Sequence, residues 1–110
     1  MANSEDEVPE GAAFFPSIDA ELGVHPLLLA VLHSVVFLGG SAEEIVNPTA
    51  ADEALGAIAG YVERCDGKER QRILEDLSVL RGYAREQGWP KQLTAFLKSF
   101  PVDFGLADEE

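Results

Sequence analysis

Apolar side chains recur along this chain at intervals of three and four residues, and nowhere do they alternate with polar ones in a β-branched run, so the pattern predicts helices and no strand. The densest segment runs from Pro26 to Leu38, with proline at a first-turn position that tolerates it. Gly39 and Gly40 are expected to end it in the left-handed conformation. Ahead of it, Ser17 is placed to cap a short turn through Leu22 that Gly23 stops. After it, Ser41-Ala-Glu-Glu44 reads as a capping box for a single turn, before Pro48 resets the chain.

A second long helix is expected from about Asn47–Thr49 to about Cys65, with Ala51, Leu55, Ile58 and Val62 on one stripe. Asp66, with Glu69 three residues on, caps a third helix whose stripe is Ile73, Leu77, Leu80 and Ala84 and whose end is Gly88. Pro90 opens a fourth, carrying Leu93, Phe96, Leu97 and Phe100 until Pro101 stops it, and Trp89 is expected to staple its start. The expectation is an all-α fold, a small bundle of four to five helices, regular or irregular, with one domain over 14–106. Disordered, mobile acidic tails are expected at 1–13 and 107–110.

The stretch between Glu21 and Glu43 carries no charge. Its unbroken apolar part, LLLAVLHSVVFL, makes about 18 Å of helix, whereas a membrane span needs about 20 apolar residues. Neither flank carries the Lys or Arg that sets orientation. The segment therefore reads as a helix wrapped by other helices, and no membrane partner is expected.

Charge narrows the picture further. Residues 1–63 hold no Lys or Arg, all eight basic residues lie from Arg64 to Lys98, and the net charge is −12. Such a surface repels phosphate, which argues against nucleic acid as a partner. Solubility from acidic tails and adaptation to salt are the plain explanations. The lone Cys65 cannot close an internal disulfide, and the acidic start MANSEDEVPEG lacks a basic leader, so the expected location is the cytoplasm.

Catalytic chemistry finds little footing. His25, His33 and Cys65 are weak metal candidates, since no HxxxH or ExxH spacing joins them on one helix face. Their plainer roles are a loop histidine at 25 and a hydrogen-bonded core histidine at 33. Ser34 points about 100° away from His33 on a helix, which denies it a base. Glu43-Glu44 and Asp52-Glu53 stand at helix starts, where acids suit the macrodipole. No nucleophile elbow or phosphate loop is present, so neither an enzyme nor a cofactor is expected.

Three features suggest contact with another protein. Gly56 and Gly60 fall opposite the apolar stripe of the second helix, where they suit close approach either by the first helix or by a second chain in a two-fold dimer. Arg70, Arg81 and Arg85, with Leu74 among them, border the stripe of the third helix and suit an acidic partner, an anion or neutralisation of the acidic half. Phe14-Phe15-Pro16 and the segment from Phe100 through Phe104 to Leu106 suit either folding back over the bundle ends or docking to a partner's groove. The leading expectation is a non-catalytic helical protein–protein interaction module that forms a homodimer. The alternatives are an acidic inhibitor or immunity-like protein that imitates nucleic acid, and a metal- or cofactor-binding helical protein.

Overall fold

Local hydrogen-bonding chemistry sets where each helix begins. In the computed structural model, which describes residues 10–107, α1 (Pro26–Gly40) is capped by His25, whose Nδ1 accepts the Leu27 amide at 3.1 Å. Asn47 caps α2 (Pro48–Val62) by accepting the Ala50 amide. Asp66 caps α3 (Gly67–Gln87) reciprocally with Glu69, each side chain accepting the other's amide at 2.8 Å. Only α4 (Lys91–Asp103) begins without a side-chain cap. No strand occurs among the described residues, and the architecture is a four-helix all-α bundle.

Two helix ends follow one design. Gly88 (φ +67°) and Gly105 (φ +73°) take the left-handed conformation, and the residue after each folds back onto the helix. The Trp89 amide reaches the Ala84 carbonyl at 3.0 Å, and the Leu106 amide reaches Pro101 at 2.7 Å. The second of these ends departs from expectation, because α4 runs through Pro101. The ring sits in the last turn, where a single turn remains to be disturbed, and its burial offsets the lost amide bond.

Other boundaries also differ. Gly39 and Gly40 stay helical, and α1 ends at an extended Ser41. The Ser41 hydroxyl accepts the Ala13 amide at 2.9 Å in place of capping the turn that follows, and the Ala42 amide donates to Gly11 at 2.7 Å. The chain is thus engaged from Gly11, earlier than the expected start at 14. The short 3₁₀ turn at Ala20–Leu22 is preceded by Asp19 with no side-chain bond, so Ser17 caps nothing there. Of the expected acidic tails, residues 1–9 and 108–110 lie outside the described part.

In close approach α1 pairs with α2 and α3 with α4, and the core forms between the pairs. Leu28 and Leu32 of α1, Leu77 and Leu80 of α3, Leu97 and Phe100 of α4, and Phe15 from the N-terminal segment belong to one buried cluster. Phe15 packs edge-on against His33, Trp89 and Phe96, and Phe96 continues through Phe100 to Phe104. Trp89 meets Phe15 and Tyr83 edge-on.

The uncharged helix is not wrapped on all sides. Leu28, Leu32 and Val35, at i, i+4 and i+7, are enclosed, whereas Leu27, Ala30 and Ser34 face solvent. With α2 on one flank and the α3/α4 core on another, α1 is an uncharged edge helix, apolar but for His33 and Ser34. None of the described helices is long and apolar enough to cross a membrane.

Candidate binding cavity

Where the start of α1, the end of α2, the first half of α3 and the C-terminal segment converge, the side chains do not meet. They leave a cavity of about 380 Å³, open on one side. Its walls are Leu28, Val31, Val62, Ile73, Phe100 and Leu106, and Leu27, 70 % exposed, stands at its edge. Kept dry and sealed, a void of this size would cost about 9 kcal/mol at about 24 cal/mol per Å³. That approaches a domain's entire stability of about 5–15 kcal/mol. An opening to the exterior is therefore part of its physics.

Two arginines tie together the segments around this space. Arg72 donates through Nε to both oxygens of Asp76 and through Nη2 to the Gly23 carbonyl, each at 3.0 Å. Asp76, only 6 % exposed, also accepts the His25 amide at 3.0 Å. The entry to α1 is thus strapped to α3 at hydrogen-bond length. Arg70 works the other side, donating to the carbonyls of Cys65 (3.0 Å), Glu63 (2.7 Å) and Gly105 (2.8 Å). It ties the α2–α3 connection to the C-terminal segment.

This arrangement corrects several expectations. Arg70 spends its guanidinium on three carbonyls of its own chain and serves there as a strut. Arg81, half-buried, and Arg85, exposed, have no hydrogen bond or ion pair among the described residues. Phe100 (1 % exposed), Phe104 (9 %) and Leu106 (6 %) are core residues, which removes them as anchors for an outside groove. Stacking of Phe104 on Phe100 at 4.4 Å and the turn at Gly105 draw the segment back onto the bundle. Phe100 and Leu106 instead form part of the cavity wall.

The histidines separate. His25 is a helix cap at the cavity, on whose lining Cys65 also lies, while His33 packs against Phe15 at 5.3 Å without a hydrogen bond among the described residues. Among the described residues no group of three or more His, Cys, Asp and Glu side chains is placed to hold a metal ion. Ser34 donates to the Ala30 carbonyl at 2.9 Å, within its own helix and away from His33. Gly56 and Gly60 lie exposed on the outer face of α2, and a Cβ built on either meets nothing within 4 Å. The first helix therefore does not approach them.

Arg72 and Asp76 escaped the sequence reading. The signal was there: position 76 falls on the stripe of Ile73, Leu77 and Leu80, so a carboxylate in it marks a buried polar contact, and the arginine four residues earlier is its natural partner. No sequence signal announced that the same arginine also reaches Gly23. Comparison with known protein families, curated proteins and solved structures finds no match for this chain.

Proposed function

We propose that the protein is a non-catalytic helical module for protein–protein interaction that pairs with a second copy of itself across the outer face of α2. The open glycines carry this reading. A glycine inside a helix costs about 0.5–1 kcal/mol relative to alanine, yet nothing among the described residues uses the space that Gly56 and Gly60 leave. Their benefit comes from a neighbouring helix that settles close to the backbone.

The exposed face of α2 admits an antiparallel, two-fold approach. Glu53 and Arg64 lie on the same flank of the exposed face, so such an approach sets each beside the other on the second copy. Arg64 already rests over the Tyr61 ring at 5.3 Å, which orients it. The opposite flank carries Asp52 and Glu63, and each copy bears a net −12. Association should therefore strengthen as salt screens this repulsion. Sedimentation velocity over a concentration series, at low and high salt, tests the proposal. A reversible dimer favoured by salt and lost in Gly60→Leu supports it. A monomeric mass at every concentration refutes it.

A further inference from the structure

We propose that the cavity between α1 and α3 binds a single-chain aliphatic carboxylate, its hydrocarbon against Leu28, Val31, Ile73 and Phe100 and its carboxylate at Lys68 and Arg72. The inference is independent of the α2 face and follows from the hydrogen-bonding capacity left at the polar part of the lining.

Consider first the acceptors. Both oxygens of Asp76 are taken by Arg72 and the His25 amide. Glu69 gives Oε1 to the Asp66 amide, which holds its carboxylate at the first turn of α3 and leaves Oε2 as the one carboxylate oxygen on the lining without a partner among the described residues. The Gly23 carbonyl is taken by Arg72. Against that one free oxygen stand three unused donors. Because His25 Nδ1 accepts the Leu27 amide, its ring proton resides on Nε2, which remains a free donor. The Lys68 ammonium has no hydrogen-bond or ion-pair partner among the described residues. Arg72 uses Nε and Nη2, and Nη1 has no acceptor among them.

An apolar hollow bordered by unused donors is complementary to a molecule with an apolar body and an anionic, acceptor-only head. Glu69 and Asp76 on the same lining disfavour a second negative charge, which selects a monoanionic carboxylate over a phosphate dianion. A cationic amphiphile meets Lys68 and Arg72 and is rejected.

Calorimetric titration and methyl NMR with decanoate, decanol and decylamine, each below its micelle concentration, test the assignment. Decanoate should bind one to one and shift the methyl signals of Leu28, Val31 and Ile73. Decanol should bind about ten-fold more weakly, the scale of a charge-assisted contact, and decylamine should not bind. Lys68→Glu places an acid in a first turn that tolerates it. It should weaken decanoate by about ten-fold while leaving decanol unchanged.

Cys65→Phe, which fills the cavity from the α2–α3 connection, should abolish binding with the helical circular dichroism retained. Val62→Phe serves the same purpose should the first variant not fold. Absence of decanoate binding overturns the proposal, and so does binding that ignores the filling variants. Equal affinity for decanoate and decanol, or indifference to Lys68→Glu, overturns the carboxylate assignment.

Discussion

Replacing Gly56 and Gly60 together by alanine separates what the isolated fold requires from what an association requires. Neither glycine has a positive φ, and a Cβ at either site meets no atom within 4 Å, so alanine adds neither strain nor overlap. What remains is the helix-propensity difference, up to about 1 kcal/mol for Gly56 in the helix interior and about half of that for Gly60 near the fraying end. The sum is about 1.5 kcal/mol of added stability. An unfolding entropy of about 2.1 cal/mol/K per residue over 110 residues converts this to a rise in Tm of about 6 °C.

Thermal unfolding followed by circular dichroism at the lowest workable concentration reads the monomer. There the double variant should melt higher than the parent chain. At high concentration the parent should gain stability by mass action while the variant gains little, because its new methyls keep two helices apart. A lower Tm for the variant at the lowest concentration refutes the reasoning, since it requires that something inside the chain occupies the glycine face.

Three further outcomes follow from the struts and caps. Asp76→Ala leaves the His25 amide and the Arg72 guanidinium without their acceptor; with Arg72 half-exposed, the loss should be about 2–3 kcal/mol by urea unfolding, and Asp76→Asn should recover part of it by keeping an acceptor for the amide. Arg70→Ala should cost about 2 kcal/mol and speed hydrogen exchange at the Leu106 and Ala107 amides, whereas Arg85→Ala should change stability by less than about 0.5 kcal/mol. Gly105→Ala should destabilise more than Gly88→Ala: both put a side chain at positive φ, a strain of about 1–2 kcal/mol, but only at Gly105 does the new Cβ meet Glu63, at 2.9 Å, and Glu63→Ala should remove the difference.

Much of the local structure was legible because it depends on neighbours in sequence. The reciprocal cap of Asp66 and Glu69, the cap at Asn47, the stop at Gly88 and the stripe from Ile73 to Ala84 all involve residues within one or two turns of each other. Where a rule of that kind failed, a distant group had claimed the residue. Ser41 accepts the Ala13 amide, and burial keeps Pro101 helical.

The candidate site was far less legible. Composition indicated that Arg70 carries a charge but not that three carbonyls from two separate segments converge on it, and the aromatic tail from Phe100 to Leu106 offered the same apolar face to a partner's groove as to its own core. Burial is a property of the assembled helices. The sequence by itself determined that the chain is helical, acidic and one core in size, because composition and periodicity suffice for those statements. Tertiary structure alone decided that α1 lies at an edge, that two arginines tie together the segments around a cavity, and that no described residue covers the glycine face of α2, since each depends on which side chains happen to reach one another across the bundle.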